Sequence, residues 1–122
     1  MEYLMFVVVD PTGEPSDESP QAWVDELEAA GTRLHGDRLR PVEDATTVRV
    51  RNGEVIVTDG PFTESKEWIA GYDLLECDSL EEAVAAAAKH PMARAGAVEV
   101  RAAWPFDLGN APEASPAEEA AQ

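Results

Sequence analysis

The sequence predicts an α+β fold in which two helices lie on one side of an antiparallel sheet. Three observations carry this expectation. Hydrophobic periodicity reads in the order strand, helix, strands, helix, strand; a two-residue hairpin centres on Asn52-Gly53; and both helical segments have start and stop signals but only one apolar stripe each. A helix with one stripe must cover one sheet face, which leaves the other face of the same sheet to be covered by something else.

Tyr3 to Val9 is a continuous apolar run rich in β-formers and bounded by Asp10-Pro11-Thr12-Gly13, as expected of a central strand buried on both faces. Ser19-Pro20 starts the first helix, with a capping hydroxyl followed by proline at the first helical position. Trp23, Val24, Leu27 and Ala30 fall on its apolar side, and Gly31 ends it. A short strand carrying Leu34 and Leu39 is expected between Thr32 and Leu39, closed by Pro41.

Thr47 to Arg51 and Glu54 to Thr58 flank Asn52-Gly53, a dipeptide suited to a type I′ turn. That register sets Val50 opposite Val55, Val48 opposite Val57 and Arg51 opposite Glu54, so the apolar pairs share one face. A further strand is predicted over Ala70 to Cys77, and Ser79-Leu80-Glu81-Glu82 forms a capping box opening the second helix. Its expected buried stripe is Leu80, Ala83, Val84, Ala87 and Ala88, and His90-Pro91 stops it. Ala97 to Trp104 is the last strand, with Val98, Val100, Ala102 and Trp104 on one side and Glu99 and Arg101 on the other. This order of elements is the ferredoxin-like pattern. From Asp107 onward the composition turns to Ala, Pro, Glu and Gly without periodicity, so the chain divides into a folded domain over 1–106 and a disordered acidic tail over 107–122.

Composition narrows the partners. A chain of 122 residues with 44% hydrophobic content supports one domain with a modest core, which dimerisation would enlarge. The formal net charge of -16 argues against nucleic acid or an anionic membrane as a partner, because phosphate binding needs clustered Lys and Arg. The lone Cys77 excludes an intrachain disulfide and reads as a small buried hydrophobe. The apolar run near the N-terminus lacks a basic flank, and no stretch approaches the roughly 18 apolar residues of a membrane span. A soluble, cytoplasmic protein is expected.

Asp59-Gly60-Pro61-Phe62 is turn chemistry at the end of the hairpin ribbon. Gly60 tolerates positive φ, Pro61 fixes its own φ, and Phe62 either plugs the core or projects onto a neighbouring surface. Glu64, Lys66 and Glu67 cluster beside Trp68, and Gly71 in the next strand leaves room for another backbone or a ligand. The ordered series DGPF, ESKE, GY (Gly71-Tyr72), an alanine-rich helix ending His90-Pro91, and VEVR at 98–101 resembles the YCII-related family, in its DGPF-motif branch, over residues 1–106. The resemblance implies a ferredoxin-like protomer that pairs through sheet faces into a dimeric α/β barrel. It also implies a bacterial, cytoplasmic setting, a frequent association with extracytoplasmic-function sigma factors, and members mostly without an assigned activity. Some YCII relatives resemble enzymes built around a His and Asp pair, with the His on the first helix. The first helix predicted here has no His; His35 and His90 fall elsewhere.

For chemistry, the acid/base candidates are Asp59, Glu64, Glu67, His90 and Glu99, with Lys66 and Arg101 able to stabilise an anion. The candidate ligand-binding or interface set is Asp59, Gly60, Pro61, Phe62, Glu64, Lys66, Glu67, Gly71, Tyr72, Glu99 and Arg101. If Val98 and Val100 face the helices, Glu99 and Arg101 point to the bare side of the sheet, where they either line a pocket or form a cross-interface ion-pair network. His90 either caps the second helix, whose C-terminal dipole favours a cation, or belongs to a site. No metal-ligand spacing, P-loop, GxGxxG or GxSxG occurs, and no cofactor is expected. Two functions fit: binding or transforming a small molecule in a pocket of the dimer, or a non-enzymatic regulatory role linked to extracytoplasmic-function sigma factor signalling.

Overall fold

The computed structural model describes residues 1–62 and 67–106. The apolar run forms β1 (Glu2–Val9), and α1 (Gln21–Ala29), β2 (Arg33–Arg38), β3 (Thr46–Arg51), β4 (Glu54–Asp59), β5 (Trp68–Glu76), α2 (Leu80–Ala88), the short α3 (Met92–Ala95) and β6 (Ala97–Ala102) follow. The main sheet has the order β2-β5-β1-β6, and every neighbouring pair is antiparallel. With the β3–β4 ribbon set aside as an insertion, this is the ferredoxin-like strand order, and the chain is an α+β protein. Residues 107–122, expected to form an acidic tail, lie outside the described residues.

Alternation along the strands decides the two faces. Tyr3, Met5 and Val7 of β1 register with Ala102, Val100 and Val98 of β6, and with Leu75, Asp73 and Gly71 of β5. These residues turn toward the helices, where Tyr3, Met5, Leu75, Trp23, Leu27 and Ala83 form the buried core. Leu4, Phe6, Tyr72, Leu74, Glu99 and Arg101 occupy the alternate positions and turn to the other face, which no helix among the described residues covers.

Local signals set the ends of both helices. Gly31 has φ +75, and its amide donates to the Glu28 carbonyl while the Thr32 amide donates to that of Leu27, a Schellman closure of α1. Helix α1 begins one residue later than expected, at Gln21, with the Ser19 hydroxyl accepting from the Gln21 amide. The Ser79 hydroxyl accepts from the Glu82 amide at 3.2 Å, and the Glu82 carboxylate accepts from the Asp78 amide at 2.8 Å, so the capping signal of α2 is met on both sides.

The stripe of α2 is rotated from the one expected: Ala83, Ala86 and Ala87 are buried, whereas Val84 and Ala88 are exposed. The cause is α1. Trp23 Nε1 donates to the Ala86 carbonyl at 2.8 Å, which brings the alanine side of α2 against the indole and turns Val84 outward. Trp104, expected to continue the apolar side of the last strand, lies beyond the end of β6 and is exposed.

Asn52 and Gly53 have φ of 53 and 78, as a type I′ turn requires, and the hairpin register is the expected one. The ribbon forms a sheet of its own. Its valine face is open, with Val48, Val50, Val55 and Val57 between 58% and 68% exposed.

Candidate functional site

Across β2 and β5 an irregularity decides which side chains meet. Arg33 registers with Leu75 and His35 with Leu74, so one extra residue, Leu34, is inserted in β2. Because side chains alternate with period two, the bulge puts Arg33 and Gly36 on the helix side and sends His35 and Asp37 to the bare side. Arg33 thereby reaches Asp73, its Nε donating to Oδ1 at 2.7 Å. The other guanidinium nitrogens are also committed, Nη1 to the Glu28 carboxylate at 2.5 Å and Nη2 to the Gly36 carbonyl at 3.0 Å. Position 36 has to be glycine: a Cβ there would collide with Asp73 Oδ1, the Tyr72 carbonyl and the Arg33 guanidinium.

His90 enters from the opposite wall, on the connection between α2 and α3. Its backbone amide ends α2 on the Ala87 carbonyl, while its Nδ1 accepts from the Met92 amide at 3.0 Å. The ring therefore caps the start of the next turn instead of placing a cation at the end of α2. An amide can only donate, so Nδ1 carries a lone pair and the neutral ring bears its proton on Nε2. Trp23 packs edge-on against this ring at 4.7 Å between centroids, which fixes its plane.

Arg33, Asp73 and His90 line one cleft of about 540 Å³, bounded by Val24 of α1, Gly71 of β5 and Met92 of α3. Asp73 and His90 are each only 6% exposed. Among the described residues no buried side-chain nitrogen or oxygen lacks a partner, yet Asp73 Oδ2 and His90 Nε2 make no hydrogen bond within the protein. Both atoms must reach solvent, and both residues line the cleft.

Electrostatics follow from burial. Desolvation raises the Asp73 carboxyl above its usual range, and Arg33 opposes this without reversing it. Burial works to lower the Arg33 pKa, but the charges of Asp73 and Glu28 outweigh it and hold the guanidinium above its ordinary value. Burial lowers the His90 pKa, with Asp73 opposing and Arg33 reinforcing, so the imidazole is kept neutral. Burial also pushes the Cys77 thiol up, which keeps it protonated as a core side chain.

The residues singled out from sequence fall in three places. Gly71, Tyr72 and His90 line the cleft. Gly71 is close to a neighbouring backbone, since a Cβ there would come within 3.0 Å of the Asp37 carbonyl. The Tyr72 side chain alternates to the bare face, where its hydroxyl lies 2.8 Å from His35 Nε2. Gly60, Pro61, Phe62 and Glu67 line a second depression of about 750 Å³, and Asp59 closes the β4 ladder opposite Thr46 beside it. Gly60 has φ +104; its amide donates to the Ala45 carbonyl at 2.7 Å, and the Thr47 hydroxyl donates to its carbonyl at 2.8 Å. Phe62 projects outward beneath the Arg49 guanidinium, 5.6 Å from the ring centroid. Glu99 and Arg101 point to the bare face, where they pair with each other at 3.0 Å. Glu64 and Lys66 lie outside the described residues.

Sequence reasoning did not single out Asp73 as a site residue, and it placed Arg33 only in a loose arginine patch with Arg38, Arg40, Arg49 and Arg51. The signal for Asp73 was present: in Gly71-Asp73-Leu75-Cys77 it is the one ionised residue on the helix-facing parity of β5, and a carboxylate there needs a cationic partner. Nothing local marks Arg33, because the bulge that turns it inward depends on pairing with β5.

Among the described residues no group of three or more His, Cys, Asp or Glu could hold a metal ion, and no helix is long and apolar enough to cross a membrane. Fold and site together define a ferredoxin-like α+β domain with a carboxylate, a guanidinium and a neutral imidazole gathered under its helices. The YCII-related domain model matches residues 1–107, and the chain belongs to that family. An uncharacterized protein of Rhizobium meliloti is 51% identical over 47 residues; that match covers 38% of this chain and 38% of the relative, so it spans well under half of either.

Proposed function

We propose that this protein, a member of the DGPF-motif branch of the YCII-related family, binds or transforms a small molecule in the cleft of Arg33, Asp73 and His90. The observation that carries the reading is the convergence of two almost fully buried titratable side chains, Asp73 and His90, on the lining of one cleft. Buried ionisable groups are costly, and clefts that gather them are the usual seats of ligand chemistry. A screen of uncharged and charged fragments by protein-observed NMR tests it. Hits that shift the amides of Gly71, Asp73 and Met92 are expected; hits confined to other surfaces, or none at all, overturn it.

The working unit in this reading is a homodimer closed into an α/β barrel. Its support is the bare face of the sheet, where Leu4, Phe6 and Leu74 stand in adjoining rows with no helix over them. Sedimentation equilibrium at micromolar concentration decides this, a persistent monomer being the adverse result. The regulatory alternative, a link to extracytoplasmic-function sigma factor signalling, draws support from the open valine face of the hairpin as a protein-binding strip. Retention of a purified sigma factor by the full chain, lost on Val50→Glu, is its test.

A further inference from the structure

We infer that the ligand of this cleft is an uncharged carbonyl compound with an acidic C–H beside the carbonyl, and that Asp73 moves the proton while His90 holds the oxygen. This rests on the cleft being a small-molecule site and assigns its substrate class and roles.

The first step is exclusion of an anionic ligand from the inner end. Among the described residues that line the cleft, Arg33 is the only buried cation, and its charge is already offset by the Asp73 and Glu28 carboxylates, with a third N–H on the Gly36 carbonyl; Arg38, also on the lining, is exposed to solvent. His90 cannot become a second cation without giving up the Met92 amide, because protonating Nδ1 removes the lone pair that accepts it. The Asp73 carboxylate would repel an anion from the same wall. Among the described residues of the lining, the two nearly fully buried titratable side chains leave one N–H donor, His90 Nε2, and one acceptor, Asp73 Oδ2, without a partner in the protein.

The tautomer then divides the work. A base needs a lone pair facing the substrate, and His90 presents a proton. It is therefore a donor suited to an oxygen on which negative charge develops, in the manner of an oxyanion-stabilising group. The base is Asp73, a residue of the cleft lining whose Oδ1 is anchored by Arg33 Nε while Oδ2 has no partner in the protein. In the forward step Oδ2 takes the proton from the carbon next to the carbonyl. The electrons of that C–H bond form a C=C bond, and the carbonyl π pair moves onto oxygen, which accepts a hydrogen bond from His90 Nε2. Return of the proton from Asp73 to the same carbon completes exchange with no further reactant; in an α-hydroxy ketone, its delivery to the former carbonyl carbon, with the hydroxyl proton passing to the enolate oxygen, completes isomerisation.

Three measurements on the full chain decide it. Nitrogen chemical shifts of the His90 ring are expected to show a protonated Nε2 and an unprotonated Nδ1; the reverse tautomer sinks the division of roles. Dihydroxyacetone, acetoin and cyclohexanone in D₂O are expected to lose the proton next to the carbonyl faster than in protein-free buffer, with the gain abolished in Asp73→Asn and reduced about 10²-fold in His90→Gln. Acetohydroxamate, an uncharged mimic of the enolised state, is expected to shift the His90 Nε2–H resonance. Absence of exchange with all three ketones overturns the inference, and so does exchange that survives in Asp73→Asn. If acetohydroxamate or screened fragments still occupy the cleft in that case, the cleft remains a binding site and only the chemistry assigned to it falls. If nothing occupies it, the functional reading of the cleft falls as well.

Discussion

Arg33 Nε and Asp73 Oδ1 meet at 2.7 Å on the helix side of the sheet, between residues whose side chains are only 12% and 8% exposed. The pair exists because β2 carries an extra residue between Arg33 and His35, and because Gly36, opposite Asp73, contributes no Cβ.

Removing the cation should expose the cost of burying the carboxylate. Arg33→Met is expected to destabilise the protein by about 3–5 kcal/mol in urea unfolding, since Asp73 is left buried without its partner. The double variant Arg33→Met with Asp73→Leu should recover most of that loss. A single variant within 1 kcal/mol of wild type, as an order of magnitude, would mean that water screens the pair.

Gly36→Ala probes the same site from the backbone. The added methyl overlaps both the carboxylate and the guanidinium, so a loss of about 1–3 kcal/mol is expected, together with altered amide shifts at Asp73. Unchanged shifts at Asp73 would show that the pair can move aside without consequence.

Stability should fall with acid in a way traceable to His90. Its folded pKa lies below the 6.5 of the unfolded chain, so between the two the unfolded state binds more protons and stability drops as pH falls below about 6.5. Asp73 has the opposite sign: its folded pKa is raised above 3.8, so its contribution is present at low pH and is lost as pH rises through the folded value. The groups facing the imidazole are Asp73 and Arg33, and both are retained in His90→Gln. The difference in unfolding free energy between wild type and His90→Gln should therefore narrow as pH falls below 6.5; a difference that does not change with pH would contradict a neutral buried imidazole.

Phe6→Glu tests the proposed pairing of sheets. Phe6 stands between Tyr72 and Glu99 on the face that none of the described helices covers, so a charge there should leave the protomer folded by circular dichroism while shifting sedimentation toward monomer. An unaltered dimer would place the interface elsewhere.

How much of this was legible in the chain depends on how local each cause is. The Asn52-Gly53 turn, the Gly31 closure and the Ser79–Glu82 cap rest on residues within a few positions of one another, and their residue types announce them. The alternation of β6 likewise foretold that Glu99 and Arg101 share the bare face, although not that they would pair with each other. The rotation of α2 hangs on a bond from Trp23, 63 residues away, and sequence periodicity cannot distinguish Ala86 from Ala88 without it. The inward turn of Arg33 hangs on a bulge fixed only when β2 docks on β5. The turn residues of the Asp59 corner are conspicuous in the chain, whereas the buried Asp73 sits on a strand as one acid among apolar neighbours.

The hairpin insertion has a consequence for how such a chain can change. Leu39 and Ala70 are joined by a backbone hydrogen bond of 2.8 Å, so the excursion over residues 40–67 leaves and rejoins the main sheet at nearly one point. A segment tethered in that way can be lengthened, shortened or exchanged for another with little disturbance of the strands it leaves. The Asp59-Gly60-Pro61-Phe62 corner thus stands on an excursion apart from the strands that carry Arg33 and Asp73.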